Sequence, residues 1–271
     1  MTIAMLINGE APSDLTHALA ANDRGFHYGD GLFETALLHE GSVRYLDAHL
    51  NRLYAGCERL KILPPDRAQL LAEIEKVTTK LRSGVLKIVL TRGPSDRGYR
   101  PSRSALPTRV VALYPAPEPQ PDRLLRIRWC ETRLGRNARL AGIKHLNRLE
   151  QVLAQAEWTE AAIAEGLVLD TEGEVVSGTA SNLFVVRDGV LLTPDLRFCG
   201  VRGVMREQVL RVAEQLGLSS SEEPLWPQDL ATAEEVFVTS AIRGVRSVGL
   251  LESMQWTRTS VADALRGSLG S

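Results

Sequence analysis

The chain of 271 residues contains only three cysteines, which lie far apart in the sequence and form no CxxC pair. This scarcity argues against a disulfide framework or a cysteine-based zinc site. The five histidines show no metal-ligand spacing such as HExxH, so we expect no metal ion. No apolar run approaches the roughly 18 residues that cross a bilayer. The first residues also turn polar too early for a secretory signal, and we expect a cytoplasmic protein with no membrane partner.

Neither sign of charge predominates in the composition. The 32 basic and 33 acidic side chains leave a formal net charge of -1. Because general nucleic-acid binding usually requires a strongly basic face, we expect no nucleic-acid partner. The hydrophobic fraction of 44% and the charged fraction of 24% are typical of globular proteins. The length allows one large domain or two of ordinary size.

Several common catalytic signatures are absent from the sequence. There is no complete GxGxxG, no Walker A motif and no GxSxG elbow, which disfavours dinucleotide-binding, P-loop and serine-hydrolase functions. Lysine is also scarce, with five residues against 27 arginines. Arginine stays protonated and cannot act as a nucleophilic amine, so very few residues can do amine chemistry.

Lys144 is the only lysine after residue 87, and it follows Ala-Gly-Ile. These small and apolar neighbours would desolvate the amine and favour its neutral, nucleophilic form. On position alone, a lysine that extends to solvent near the start of a helix explains Lys144 equally well.

The hydrophobic pattern predicts a mixture of helices and strands without the regular alternation of a doubly wound sheet. We therefore expect an α+β, or mixed α/β, fold. Among the predicted elements are a helix over 147–165 and a strand over 35–38, and the glycine- and aromatic-rich segment 23–34 predicts a shaped loop. Four prolines in 115–121 predict a linker. This linker would separate a smaller N-terminal domain, 1–114, from a larger C-terminal domain, 122–271.

Three places in the sequence have chemistry that suits a phosphate. The glycine-containing turn 200–205 leads into a predicted helix, whose free amides and positive dipole end favour an anion. Thr239-Ser240 closes a predicted strand, and Arg52 on the first long helix could clamp a phosphate in a bidentate manner. Each place has an ordinary alternative, namely a plain turn, a plain strand end and a surface ion pair.

The segment LGRNARLAGIKHLNRLEQVL around Lys144 resembles the aminodeoxychorismate lyases. These are fold-type IV pyridoxal-phosphate enzymes related to the branched-chain and D-amino-acid aminotransferases. The motifs DRGFHYGDGLFE, AHLNRL, TASNLF, GVRGVMRE and VFVTSA follow in family order, so the resemblance covers nearly the whole chain. GIKHLNRLEQ and the loop 92–99 are the lyase-like parts, whereas the other motifs are shared with the aminotransferases.

The resemblance implies a two-domain fold-type IV enzyme, similar to D-amino-acid aminotransferase, with pyridoxal 5'-phosphate at the domain interface. It implies a homodimer whose active sites include loops from the partner. Lys144 would be the catalytic Schiff-base lysine. The residues implied to bind the cofactor's phosphate are Arg52, Val204, Met205, Ser240 and Ala241. The residues implied to line the pocket or to lie towards the substrate are Phe26, Tyr28, Phe33, Arg97 and Tyr99.

The sequence departs from the family at Ser177. This cofactor-binding position usually holds a glutamate that pairs with the pyridine nitrogen and keeps it protonated. Serine cannot hold a pyridinium as a carboxylate would, and strand alternation gives no reason to expect Glu174 in the same place. We expect the departure to weaken transamination more than lysis, because lysis ends in an aromatic ring and the product itself supplies driving force.

The implied activity is the conversion of 4-amino-4-deoxychorismate to 4-aminobenzoate and pyruvate, a step of folate biosynthesis. One alternative is a fold-type IV aminotransferase that acts on D- or branched-chain amino acids. A second alternative is a non-catalytic metabolite-binding or assembly protein, against which the presence of both Lys144 and Arg52 argues.

Overall fold

The computed structural model describes residues 2–14, 19–102, 105–118 and 124–270. Contacts divide the chain into two compact units, and we refer to them as unit 1 and unit 2. Unit 1 is Met1–Pro119 with Ile143–Asn147, and unit 2 is Gln120–Gly142 with Arg148–Ser271. Residues 119–123, which include the end of the expected linker, lie outside the described residues. No helix in the described part of the chain is both long and apolar enough to cross a membrane.

Unit 1 is a five-stranded antiparallel sheet with two long helices, and its strand order is β1-β5-β4-β2-β3. Its elements are β1 (Ala4–Ile7), α1 (Arg24–Tyr28), β2 (Gly31–His39), β3 (Ser42–Val43), α2 (Leu46–Leu60), α3 (Arg67–Thr78), β4 (Ser83–Thr91) and β5 (Thr108–Tyr114). Alternate residues of β2, from Leu32 to Leu38, are buried and pack with apolar residues of α2 and α3. The other face of β2 carries Phe33, Thr35 and Leu37, which are half-buried.

Unit 2 contains a larger mixed sheet with the main strand order β11-β10-β9-β12-β13-β6-β7-β8, and β14 pairs with β13. Its elements are β6 (Leu125–Leu134), α4 (Leu149–Gln155), β7 (Glu165–Asp170), β8 (Val175–Gly178), β9 (Asn182–Arg187), β10 (Val190–Pro194), α5 (Val204–Gln215), β11 (Ser220–Glu223), α6 (Pro227–Ala231), β12 (Glu235–Ser240), β13 (Gly244–Leu251), β14 (Met254–Gln255) and α7 (Ser260–Leu269). Phe184 and Phe237 stack in its interior with ring centroids 5.1 Å apart. Two sheets with interspersed helices confirm the predicted mixed α/β class.

The predicted helix over 147–165 is wrong for more than half of its length. The helix α4 ends at Gln155, and residues 156–164 form turns and an irregular segment before β7 begins. The structural reason lies in contacts with β6. The carboxylate of Glu157 accepts hydrogen bonds from the amide and hydroxyl of Thr132, at 2.8 and 2.6 Å. Ala164 donates its amide to the carbonyl of Arg126 at 2.8 Å, so the segment follows the sheet.

The segment 23–34 is not a loop throughout. The carboxylate of Asp23 accepts a hydrogen bond from the Gly25 amide at 2.7 Å and so caps the short helix α1. Gly29, with φ of 61°, ends that helix in the left-handed conformation that glycine adopts without strain. The strand β2 then begins at Gly31, four residues earlier than the predicted strand.

Candidate active site

Lys144 lies against the edge of β2 in unit 1, although we expected it in the C-terminal domain. The Phe33 amide donates to the Lys144 carbonyl at 3.0 Å, and the Leu146 amide donates to the Gly31 carbonyl at 3.0 Å. These two backbone bonds align residues 143–147 with the start of β2, where β3 does not reach. The Lys144 side chain is half-buried and its Nζ lies 4.2 Å from the centroid of the Phe33 ring. The lysine is therefore held in a defined place and does not extend into bulk solvent.

A second amine contacts the same aromatic ring. Lys87 lies opposite Thr35 in the β2–β4 pair, and its Nζ is 5.8 Å from the Phe33 centroid. Lys87 and Lys144 are the two half-buried lysines of the chain, whereas the other three are exposed. Our sequence reasoning missed Lys87. The scarcity of lysine, combined with its place in an alternating strand, was the signal that could have revealed it.

Arg52, expected to bind the phosphate, is part of a buried cluster of three charged or ionisable side chains. The Glu34 carboxylate accepts hydrogen bonds from Arg52 Nε at 2.8 Å and from Arg52 Nη2 at 2.5 Å. The Nδ1 atom of His49 lies 2.7 Å from the same carboxylate. Glu34 and His49 are each 1% exposed. The guanidinium therefore has its orientation fixed by a partner on the neighbouring strand.

The electrostatic state of this cluster follows from its contacts. Burial alone would raise the pKa of the Glu34 carboxyl, but the hydrogen bonds and positive charge of Arg52, with the contribution of His49, outweigh burial and lower that pKa below its ordinary value. Glu34 is thus an anion at neutral pH. Sequence reasoning missed Glu34 because the strand was predicted to begin after it.

The expected pocket and substrate residues form two separate contacts in unit 1. Phe33 contacts Lys144, as described above. Tyr28 and Tyr99 contact each other with ring centroids 5.4 Å apart, and the Gly98 amide donates to the Tyr28 hydroxyl at 3.4 Å. Tyr99 is 85% exposed and Phe26 is 82% exposed, so neither side chain is enclosed by unit 1.

The expected phosphate-binding residues of unit 2 lie at the start of α5 and the end of β12. No side chain caps the N-terminus of α5, whose first amides have no partner within the helix. A Cβ at Gly203 would lie 2.1 Å from Oδ1 of Asn182, so a larger residue beside Val204 and Met205 would displace the Asn182 side chain. Asn182 in turn pairs with Thr239 across β9 and β12. The N-terminus of α5 and the end of β12 are therefore both placed next to Asn182.

Two hydroxyl groups stand at the end of β12. The Thr239 hydroxyl is buried and has no hydrogen-bond partner among the described residues. Ser240 is half-buried, and its hydroxyl accepts the Arg243 amide at 3.1 Å. A buried hydroxyl without a partner costs about 1–3 kcal/mol, and an anion at this place would remove that cost.

Ser177 lies on β8 opposite Val168 and is 8% exposed. Its hydroxyl donates to the Gly178 carbonyl at 2.7 Å. The Glu174 carboxylate lies 2.8 Å from Nη2 of Arg136, so it is engaged elsewhere. The structure thus places a neutral hydroxyl at the position where the family resemblance led us to expect a carboxylate.

A family model described as Amino-transferase class IV matches residues 31–251. The chain belongs to this family. An aminodeoxychorismate lyase of Vibrio harveyi is 37% identical over 229 residues, which cover 83% of this chain and 84% of the relative. A D-alanine aminotransferase of Bacillus licheniformis is 28% identical over 247 residues, which cover 87% and 84%.

The similarity extends to the fold of a solved structure. The 4-amino-4-deoxychorismate lyase from Pseudomonas aeruginosa is 42% identical, with a TM-score of 0.92, and the match covers 98% of this chain and 97% of that chain. The resemblance to the lyases that was predicted from the sequence motifs is confirmed, as is the fold-type IV architecture.

Proposed function

We propose that this protein is a pyridoxal-phosphate-dependent lyase that converts 4-amino-4-deoxychorismate to 4-aminobenzoate and pyruvate. The observation that carries the proposal is the half-buried amine of Lys144 against Phe33, within the lyase-like segment GIKHLNRLEQ. The similarity to two lyases, at 37% and 42% identity, supports the same reaction. The enzyme would supply 4-aminobenzoate to folate biosynthesis.

The residues present suit the cofactor pyridoxal 5'-phosphate. In unit 1, Lys144 offers an amine for the aldehyde, and Arg52 offers a guanidinium that Glu34 already orients. In unit 2, the uncapped start of α5 and the partnerless hydroxyl of Thr239 suit an anion. We propose that the phosphate is bound by Arg52, Val204, Met205, Ser240 and Ala241, and that the ring binds near Ser177. When bound, the cofactor supplies an electron sink for the substrate's reacting carbon.

Lys144 would then act as the general base of the reaction. The neutral amine takes the proton from C4 of the substrate, and the Phe33 ring, whose centroid lies 4.2 Å from that amine, limits the access of water on one side. The bond between C3 and the enolpyruvyl ether oxygen breaks, and its electron pair leaves with the enolpyruvyl oxygen. Protonation of that group gives pyruvate, and the ring becomes aromatic. Tyr28, Arg97 and Tyr99 are proposed to contact the substrate.

The proposed reaction has a direct test in two parallel assays. With 4-amino-4-deoxychorismate, the purified protein loaded with cofactor is expected to release 4-aminobenzoate and pyruvate in equal amounts. With D-alanine and 2-oxoglutarate, it is expected to form glutamate only slowly. Rapid glutamate formation without 4-aminobenzoate would instead assign the aminotransferase activity.

Ser177→Glu is expected to change the absorbance spectrum of the bound cofactor and to increase transamination relative to lysis. A carboxylate at this position would keep the pyridine nitrogen protonated and so strengthen the electron sink that transamination needs. The matched control is Ser177→Gln, which has the size of glutamate without its charge and reveals any effect of overpacking at this buried site. Equal spectra and rates in wild type and Ser177→Glu would contradict this role of position 177.

We also propose that the protein is a cytoplasmic homodimer. Leu149, Val152 and Leu153 on the short helix α4 are 70%, 60% and 54% exposed, which supports an interface on this face. Light scattering of the purified protein is expected to give twice the chain mass of 29.8 kDa. A mass of one chain at working concentration would argue against the dimer.

A further inference from the structure

Arg24 on α1 is almost completely buried, although it lies in a short surface helix. It is 4% exposed, and its guanidinium lies 4.9 Å from the centroid of the Tyr28 ring. Its Nη1 donates to the Gly98 carbonyl at 2.9 Å, and its Nη2 donates to the Tyr99 carbonyl at 3.0 Å. The Nη1 atom also lies 3.3 Å from the Ser95 hydroxyl. One side chain thus contacts three residues of the loop 95–99.

This loop carries Arg97 and Tyr99, which we proposed as substrate contacts. The loop turns at Gly98, whose φ of 106° is accessible without strain only to glycine. The same Gly98 gives its carbonyl to Arg24 and its amide to the Tyr28 hydroxyl. Both the carbonyl and the amide of Gly98 are therefore hydrogen-bonded, and these bonds hold Tyr99 beside Tyr28.

Asp30 holds Arg24 in place and links it to a second arginine. The Asp30 Oδ2 atom accepts hydrogen bonds from Arg24 Nε and Arg92 Nε, each at 2.8 Å, and Oδ1 accepts from Arg92 Nη2 at 3.0 Å. Arg92 also donates to the carbonyls of Leu60 and Lys61 at the end of α2. Burial raises the pKa of the Asp30 carboxyl, but the hydrogen bonds from Arg92 and Arg24 outweigh it and lower that pKa. Asp30 is therefore an anion that pairs with both Arg24 and Arg92.

We propose that Arg24, oriented by Asp30, is a positioning residue for the substrate, because it fixes the loop 95–99 in the conformation that presents Tyr99 and Arg97. This inference rests on the proposed function. Arginine suits the role because its planar fork reaches one carboxylate and two backbone carbonyls at once, which a lysine ammonium cannot do. The loss of these loop contacts is expected to weaken substrate binding while the chemical step at Lys144 continues.

The test uses Arg24→Lys, which keeps the positive charge beside Asp30 and loses the paired bonds to the loop carbonyls. The first measurement is tryptic cleavage at the Arg97–Gly98 bond in the native protein, which needs neither substrate nor catalysis. We expect cleavage at this bond to become at least about tenfold faster, because a loop that opens more often is cut more often.

The second measurement is the steady-state kinetics of the holoenzyme. We expect KM for 4-amino-4-deoxychorismate to rise about tenfold, the effect of losing a hydrogen bond to a charged group. We expect kcat to stay within about threefold of wild type, because the lost interaction is made equally in the ground state and the transition state. Titration with pyridoxal 5'-phosphate is expected to show unchanged cofactor affinity. Asp30→Asn, which removes the anion that orients Arg24, is expected to shift cleavage and KM in the same direction.

The matched control is Arg67→Lys, since Arg67 also pairs with a carboxylate, Asp47, and lies over a tyrosine ring, Tyr54, at 5.8 Å. It is expected to leave cleavage and KM unchanged. If Arg24→Lys is cleaved at the wild-type rate, the proposal is overturned. It is also overturned if the variant is cleaved faster but its KM is unchanged. If wild type fails to turn over aminodeoxychorismate, the proposed function is wrong. The same KM and kcat comparison with D-alanine and 2-oxoglutarate then decides the role of Arg24.

Discussion

Lys144→Ala is expected to lower kcat for the release of 4-aminobenzoate by a factor on the order of 10⁴ or more. The substitution removes both the amine that would hold the cofactor covalently and the base that would take the C4 proton. Because Lys144 is fixed by backbone bonds to β2, no movement of the segment 143–147 is needed to place its side chain beside Phe33. The measurement is steady-state formation of 4-aminobenzoate, with borohydride reduction of the loaded protein as an independent readout.

Borohydride is expected to fix the cofactor to wild type, and peptide mapping is expected to locate it at Lys144. The matched control is Lys87→Ala, which removes the other amine that contacts the Phe33 ring. This variant is expected to keep the covalent label, whereas Lys144→Ala is expected to lose it. Turnover by Lys144→Ala at the wild-type rate would refute the proposed mechanism. A label that maps to Lys87 would transfer the covalent role to that residue.

The sequence located Lys144 through its motif, but it could not place Lys144 in a structural unit. That placement depends on backbone hydrogen bonds to Gly31 and Phe33, more than a hundred positions earlier in the chain. Such non-local bridges leave no periodic signal in a window of ten or fifteen residues. The amphipathic helices α5 and α7, by contrast, depend on local spacing, which predicts helices over 204–216 and 260–269. The structure has them at Val204–Gln215 and Ser260–Leu269.

The environment of Arg52 shows a second limit of sequence reasoning. The motif pointed to Arg52 as a phosphate ligand, yet its two strong hydrogen bonds in the structure go to Glu34. Glu34 occupies the buried face of β2 between Leu32 and Ala36. A charged residue at a buried position of an alternating strand requires a partner of opposite charge. Extension of the predicted strand back to Gly31 would have revealed that requirement, although not the identity of the partner.

Glu34→Gln is expected to lower the free energy of unfolding by about 3–5 kcal/mol, because it leaves the nearly buried Arg52 without its anion. It is also expected to weaken binding of pyridoxal 5'-phosphate, since the guanidinium loses the contacts that orient it. Urea unfolding measures the first effect, and cofactor titration followed by absorbance measures the second. Since glutamine is close to glutamate in size, the change tests charge and hydrogen bonding with little change in packing.

Stability should depend on pH in a direction set by the lowered pKa of Glu34. A carboxyl whose pKa is lower in the folded state stabilises the fold above its unfolded value of about 4.5, and this stabilisation is lost as the pH falls through the folded value. The difference in unfolding free energy between wild type and Glu34→Gln is therefore expected to be largest near neutral pH and to shrink below pH 4.5. A difference that grows on acidification would contradict the assignment of Glu34 as a buried anion.

A matched control separates loss of stability from loss of cofactor binding. Glu73 and Arg109 form a comparable buried pair in unit 1, with Arg109 Nε and Nη2 donating to the Glu73 carboxylate at 2.6 and 2.5 Å. Glu73→Gln is expected to destabilise the protein by a similar amount and to leave cofactor affinity unchanged. If both variants weaken cofactor binding equally, the effect is one of general stability. If only Glu34→Gln does so, then the Glu34 carboxylate serves the cofactor site through its hold on Arg52.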